Sequence, residues 1–244
     1  MVRLVLLDIE GTTTPMAFVH DVLFPFARAR LGEWLSRHAG SEVHRDVIER
    51  LRAEHAADRG RADALPAWPH GVTGQEEDKA AAAYGSWLME RDRKSPALKH
   101  WQGLIWEEGY QAGLLHGEVY PDVAPAIRGW RARDVDVAIY SSGSELAQRR
   151  LFASTADGDL TPLFCGFYDT AVGPKVAADS YRRIASALAH DPASTLFVSD
   201  VTRELRAASE AGCQTRLCIR PGNVTQPDAD HYAAVTSLAA ISVP

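Results

Sequence analysis

The chain has 244 residues, 46% of them apolar and 24% charged, a balance that supplies a sizeable core and suits one large domain or two small ones. Its formal net charge of −6, with no Lys/Arg-dense segment interleaved with aromatics, argues against a nucleic-acid partner. The longest apolar runs fall far short of a membrane span, and no signal-peptide pattern precedes the first strand, so no membrane partner is expected.

Val2 to Leu7 is rich in Val and Leu and reads as a buried parallel strand. It delivers Asp8 and Glu10, one residue apart, into the loop Gly11-Thr12-Thr13-Thr14-Pro15. Apolar residues at helical spacing follow from Phe18 to about His38, and a charged helical pattern covers Ser41 to Asp58. A Pro/Gly stretch (Pro66, Pro69, Gly71, Gly74) interrupts, and helical patterns resume over Glu76–Arg91 and Pro96–Leu115. No strand is expected between Phe18 and Leu115. From Glu118 onward short strands and helices alternate. Strands are expected at Asp136–Tyr140, Leu163–Phe167, Thr195–Ser199 and, as the last one, Thr215–Arg220. Helices are expected at Glu145–Phe152, Ala177–Ala189 and Thr202–Ala211. This alternation means βαβ units. The expected fold is α/β: a doubly wound parallel-sheet core of residues 1–15 and 118–244, with an all-helical cap of residues 16–117 inserted after the first strand.

Three strands end in polar groups: Asp8/Glu10, Ser141/Ser142 and Asp200. In a doubly wound sheet these ends open on one edge, where ligands sit. Lys175 lies between them in Gly173-Pro174-Lys175, just ahead of a helix. Carboxylates at two strand ends can hold Mg²⁺, which takes a few oxygen ligands plus water and substrate phosphate. Hydroxyls, backbone N–H groups and one lysine can neutralise the remaining phosphate oxygens. These are the parts of a phosphoryl-transfer site.

In this order the motifs resemble the haloacid dehalogenase superfamily of hydrolases. More closely, the chain resembles its enolase-phosphatase (acireductone synthase) family of methionine salvage. The resemblance rests on Asp8-Ile9-Glu10-Gly11-Thr12-Thr13-Thr14-Pro15, Asp21-Val22-Leu23-Phe24-Pro25, Lys94-Ser95, Gln102-Gly103 and Trp106. It continues through Tyr140-Ser141-Ser142-Gly143-Ser144, Gly173-Pro174-Lys175, Asp179-Ser180-Tyr181, Ser199-Asp200 and Arg220-Pro221-Gly222-Asn223. The match covers almost the whole chain, and Glu10 stands where most of the superfamily has a second Asp.

The resemblance implies a HAD-like, Rossmann-type core and a Mg²⁺-dependent enzyme acting on a small phosphate ester. Asp8 would be nucleophile and metal ligand, Glu10 the acid/base residue and a member of the metal site, and Asp200 would complete that site. Ser141 and Ser142 would bind the phosphate, and Lys175 would pair with Asp8 and the phosphate. The implied reaction converts 2,3-diketo-5-methylthiopentyl 1-phosphate to the acireductone 1,2-dihydroxy-3-keto-5-methylthiopentene through an aspartyl-phosphate. Glu10 and a cap residue are the candidates for the base of the enolisation. The stretch Asp92–Lys99 with Gln102 and Trp106 is the candidate substrate lid.

Taken singly, each residue has a plainer reading. Asp8/Glu10 fit a solvated turn, Ser141/Ser142 a helix N-cap before Glu145, and Asp200 a cap for the helix after it. Asp92–Lys99 fits a charged turn before a core-facing Trp. Glu204 fits a first-turn acid on a helix dipole and stays outside the expected core site. The nine histidines show no ligand spacing, read as surface or cap residues, and give no zinc site. Asp228–His231 reads as a solvated turn. Cys165, Cys213 and Cys218 lack CxxC spacing and read as small core residues, which suits a reducing cytoplasm. No heptad seam or long apolar edge strand stands out, so a monomer is expected. Rival functions are another phosphatase or a dehalogenase of the same architecture, or a silent protein that binds a phosphometabolite.

Overall fold

Strand β1 (Leu4–Leu7) is buried along its whole length, as a parallel strand covered on both faces must be. In the computed structural model, which describes residues 1–61 and 63–243, the chain next makes a π-helical turn over Phe18–Leu23. Helices α1 (Phe24–Arg28), α2 (Leu31–His38), α3 (Glu42–Asp58), α4 (Gln75–Glu90) and α5 (Pro96–Gln111) follow. The single helical run expected from Phe18 to His38 is therefore broken. Pro25 cannot donate a backbone hydrogen bond and sits where a helix restarts, in the first turn of α1. Two of the other starts follow local chemistry: Ser41 accepts from the His44 amide and Ser95 from the Leu98 amide, with Pro96 opening α5.

The chain continues as α6 (Val123–Arg131), β2 (Asp136–Tyr140), α7 (Glu145–Ala153), β3 (Gly166–Tyr168) and α8 (Ala178–Ala187). It closes with β4 (Thr195–Ser199), α9 (Thr202–Glu210), β5 (Gln214–Cys218) and β6 (Ala234–Val235). Three expectations need correction. Leu163–Phe167 is not one strand: Pro162 sits in a 3₁₀ turn over Thr161–Leu163, and the strand starts only at Gly166. The strand expected to be last is followed by β6, whose two residues are too few to show an alternation. Helix α6 was not expected, because Pro125 and Gly129 lower its propensity; burial of Val123, Ala124, Ile127 and Trp130 along one stripe stabilises it.

All strand pairings are parallel, in the order β3-β2-β1-β4-β5-β6. The chain runs outward from β1 through β2 to β3, then returns to the other side of β1 for β4, which is the doubly wound α/β arrangement. Register decides what meets at the edge. Leu7 pairs with Ile139 on one side and Val198 on the other, so Asp8 emerges level with Tyr140 and Ser199. Leu4, Leu6, Ala138, Phe197, Tyr181 and Leu205 form the core between the sheet and helices α8 and α9.

By their internal contacts, Met1–His20 and Gly113–Pro244 make one unit and Asp21–Ala112 another. Among its described residues the second unit has helices as its only regular elements, joined by turns and loops. Its core centres on Trp34, Leu35, Leu51, Tyr84 and Trp101. Two of its histidines are buried with partners inside this unit: His44 Nε2 lies 2.7 Å from Asp78, and His55 Nε2 lies 2.8 Å from the Pro66 carbonyl.

Candidate active site

The loop after β1 is folded by its own backbone. The Ile9 carbonyl accepts from three successive amides, Thr12, Thr13 and Thr14, at 3.1, 2.9 and 2.9 Å. The Thr13 hydroxyl donates to the Asp8 carbonyl at 3.0 Å, and all three threonines are buried. Gly11 has φ +69°, and a Cβ there would stand 2.5 Å from Asp200 Oδ2. Both facts require glycine: the backbone lies in the left-handed region and the carboxylate occupies the space. Two distant side chains hold the loop from outside. Asn223 Nδ2 donates to the Gly11 carbonyl at 2.9 Å and Arg220 Nε to the Thr12 carbonyl at 3.2 Å.

Asp8 is only 4% exposed. Its Oδ1 accepts from the Ile9 amide at 2.8 Å and lies 2.7 Å from Lys175 Nζ; its Oδ2 accepts from Ser199 Oγ at 2.8 Å. Lys175 Nζ also lies 2.5 Å from Glu204 Oε2, and the two residues meet as a buried ion pair. Burial pulls the Lys175 ammonium down, but the charges of Asp8 and Glu204 outweigh it and hold the group above the ordinary lysine value. Lys175 therefore stays protonated at any working pH. Glu204 is pushed up, by burial first and by the Asp8 charge next, against the opposing pull of Lys175.

Asp200 follows β4 and is pushed up to about 7, by burial and then by the charge of Asp8, with Glu10 adding to it. Negative potential thus remains in excess after Lys175 has paired with Asp8. Among the described residues no three His, Cys, Asp or Glu side chains form a cage that could hold a metal unaided. The donor chemistry nevertheless fits a hard divalent cation, which needs only one or two carboxylates and fills its shell with water and phosphate oxygens. Asp8 and Asp200 are carboxylates that could serve, and such a cation would relieve the repulsion that raises Asp200.

The plain capping readings do not survive for the serines and Asp200. The N-cap of α7 is Ser144, which accepts from the Ala147 amide. Ser141 instead is buried at the end of β2 and accepts from the Gly143 amide at 3.2 Å, while Ser142 is exposed. The N-cap position of α9 is Val201, without a side-chain cap, and the Val201 amide donates to Ser199 Oγ rather than to Asp200. Asp8 and Lys175 are brought into direct contact, and Ser141 and Asp200 flank Asp8 on the two neighbouring strands. Glu10 lies close enough for its charge to act on Asp200.

Sequence reasoning left out Glu204 and Ser199, both in contact with the Asp8–Lys175 pair. The available signal was the position of Glu204 in the first turn of the helix that follows Asp200. In the helical unit Ser95 caps α5, Ala97 and Leu98 pack in its core, Gln102 is buried, and Trp106 Nε1 donates to the Leu23 carbonyl at 2.8 Å. Several of the expected lid residues thus serve capping and packing within their own unit.

With this geometry in view, comparison with known proteins is specific. Residues 2–212 match the model of the haloacid dehalogenase-like hydrolases. Enolase-phosphatase E1 of Synechococcus elongatus is 48% identical over 221 residues, spanning 90% of both chains. Enolase-phosphatase E1 of Danio rerio is 41% identical over 241 residues, spanning 96% of this chain and 92% of its own. The UTR4 protein of Saccharomyces cerevisiae, a solved structure, superposes with a TM-score of 0.75 at 29% identity, over 99% of this chain and all of that one. The chain belongs to the haloacid dehalogenase-like hydrolases and, within them, to the enolase-phosphatase E1 family.

Proposed function

We propose that this protein is an enolase-phosphatase that converts 2,3-diketo-5-methylthiopentyl 1-phosphate to 1,2-dihydroxy-3-keto-5-methylthiopentene and phosphate in methionine salvage. The observation that carries the reading is the buried Asp8–Lys175 pair at the carboxyl edge of the sheet, in a chain of this family. The protein works as a monomer in the cytoplasm, and three free cysteines, Cys213 and Cys218 buried and Cys165 exposed, support the reducing compartment. Among the described residues no helix is long and apolar enough to cross a membrane.

Asp8 attacks phosphorus and forms an aspartyl-phosphate, which divides one difficult hydrolysis into two easier steps. Ser199 and the Ile9 amide fix the carboxylate so that little reorientation is needed before attack. Lys175, protonated throughout, offsets the repulsion between anionic nucleophile and anionic ester. Ser141 and Ser142 donate to phosphate oxygens. Glu10 protonates the leaving oxygen and then takes a proton from the hydrolytic water. Asp8 and Asp200, with Glu10 through its side chain or carbonyl, would hold Mg²⁺, which would supply charge neutralisation at the phosphoryl group and Lewis acidity toward the neighbouring ketone.

The test is turnover of the diketone phosphate with Mg²⁺, following enol absorbance and phosphate release separately. An enol signal that precedes phosphate is expected, with both lost on adding EDTA. Release of phosphate from simple esters without turnover of the diketone would leave a general phosphatase. No phosphate from any ester would leave a binding protein, and turnover indifferent to EDTA would remove the metal.

A further inference from the structure

The segment that carries Lys175 is held in an unusual way. Four successive carbonyls, Val172 to Lys175, each accept a hydrogen bond from a side chain. Val172 O accepts from Arg183 Nη1 at 3.1 Å and Gly173 O from the Tyr140 hydroxyl at 2.8 Å. Pro174 O accepts from Ser180 Oγ at 2.8 Å and Lys175 O from the Tyr181 hydroxyl at 2.6 Å. A loop outside helix and sheet normally satisfies many of its carbonyls with water. Here three neutral hydroxyls reach the carbonyls of the three residues ending in the ammonium-bearing one, and Pro174 O accepts the Ala177 amide as well, at 3.0 Å.

The donors are themselves fixed. Tyr140 ends β2, and Ser180 and Tyr181 stand in the first turn of α8. The Tyr181 ring is 1% exposed, edge-on to Tyr140 at 5.4 Å and to Phe197 at 4.9 Å, so its hydroxyl has one place to go. Burial raises both tyrosine hydroxyls above their ordinary value, and they remain proton-bearing donors. The approach is possible because residue 173 is glycine: φ is +144°, and a Cβ there would lie 2.3 Å from Ser180 Oγ. The Tyr140 ring centroid lies 6.0 Å from Lys175 Nζ, so the same side chain touches the segment at both its backbone and its charge.

We propose that the Tyr140, Ser180 and Tyr181 hydroxyls form a clamp that positions Lys175: by fixing three consecutive carbonyls they set where the ammonium stands between Asp8, Glu204 and the substrate phosphate. Lysine is a point charge on a flexible four-carbon stem. Side-chain contacts with two carboxylates steer its tip, but where the stem begins is a backbone property. The clamp residues touch neither substrate nor reacting atoms; they are positioning residues. The inference rests on the reading of Lys175 as a phosphate-binding cation.

A cycle of variants tests it, with inorganic phosphate as the probe and calorimetry as the readout, in the presence of Mg²⁺. Tyr181→Phe is expected to weaken phosphate binding about fivefold, as the loss of one buried hydrogen bond should, and to lower kcat by a similar factor. In a Lys175→Met background the same change is expected to leave phosphate affinity where Lys175→Met alone put it. An equal weakening in both backgrounds, or none in the Lys175 protein, would overturn the clamp and leave a structural tyrosine. If Tyr181→Phe does not fold, Ser180→Ala and Tyr140→Phe each remove one neighbouring donor and are read in the same cycle. Should Lys175→Met itself leave phosphate affinity and turnover unchanged, the role of Lys175 falls, and the clamp with it. That outcome is distinguishable because no hydroxyl variant is needed to see it.

Discussion

Arg220 and Asp122, 98 positions apart, meet through two parallel hydrogen bonds, Nη1 to Oδ1 at 3.0 Å and Nη2 to Oδ2 at 2.9 Å. The same guanidinium donates through Nε to the Thr12 carbonyl, and Asp122 Oδ2 also accepts from Ser237 and the Leu238 amide. One buried fork thus ties the acid loop to the start of α6 and to the end of the chain. Arg is suited to this because its rigid planar donors match a carboxylate in two places at once.

Removing one partner leaves the other charge buried and unpaired. Asp122→Ala is expected to cost about 3 kcal/mol, read by urea unfolding. Burial pushes the Asp122 carboxyl up, but the hydrogen bonds from Arg220, Leu238 and Ser237 outweigh it and leave it below its ordinary value. The sign follows from linkage: a depressed folded value stabilises the fold above the unfolded value of 3.8, and that stability is lost as pH falls through the folded value. The wild type should therefore lose more stability than Asp122→Asn between neutral pH and strong acid. Parallel acid titrations of the two proteins would refute this.

Asp8→Asn is expected to lower phosphate release by roughly a thousandfold or more while leaving the circular dichroism spectrum unchanged, since the amide keeps the shape but not the nucleophile. It also removes the charge that, after burial, contributes most to raising Asp200. Carboxyl NMR should then find Asp200 titrating closer to its ordinary value than in the wild type. Turnover retained in this variant would remove the covalent route.

Asp200 gives the opposite pH signature to Asp122. Its folded value of about 7 lies above the unfolded 3.8, so the folded state holds the proton more tightly and stability falls as pH rises between the two. In EDTA, Asp200→Asn is expected to raise the melting temperature at pH 8, and the gain should vanish below about pH 4. Added Mg²⁺ should stabilise the wild type and leave Asp200→Asn little changed. A Mg²⁺ shift of equal size in both proteins would take Asp200 out of the metal site.

Glu204→Gln removes one of the two carboxylates on Lys175 while Asp8 keeps its 2.7 Å contact. The expected result is a roughly tenfold loss in kcat with a smaller change in KM, because the ammonium is less firmly held where charge develops. A change confined to KM would place Glu204 in substrate binding instead.

Much of this protein is legible from local sequence. The apolar run Leu4–Leu7, the strand at Asp136–Tyr140 and the strand at Thr195–Ser199 stand where their composition puts them. Ser41, Ser95 and Ser144 cap helices, although from sequence the α7 cap is expected two or three residues early, at Ser141/Ser142. What failed was equally local: Pro125 and Gly129 hid α6, and β6 is too short to carry a period. These properties depend on residues a few positions apart, so the chain declares them directly.

Sequence by itself therefore determined the alternation of strands and helices, the polar residues at each strand end and, through the order of its motifs, the family. The tertiary structure alone decided who stands beside whom. That β1 lies between β2 and β4, that Lys175 reaches both Asp8 and Glu204, and that Asn223 holds the Gly11 carbonyl all depend on contacts closed across long stretches of chain. No local period encodes such contacts, because they are set by register and by burial of the whole sheet. Glu204 is the clearest case: as a sequence feature it is an acid in the first turn of a helix, and only folding places it on the lysine.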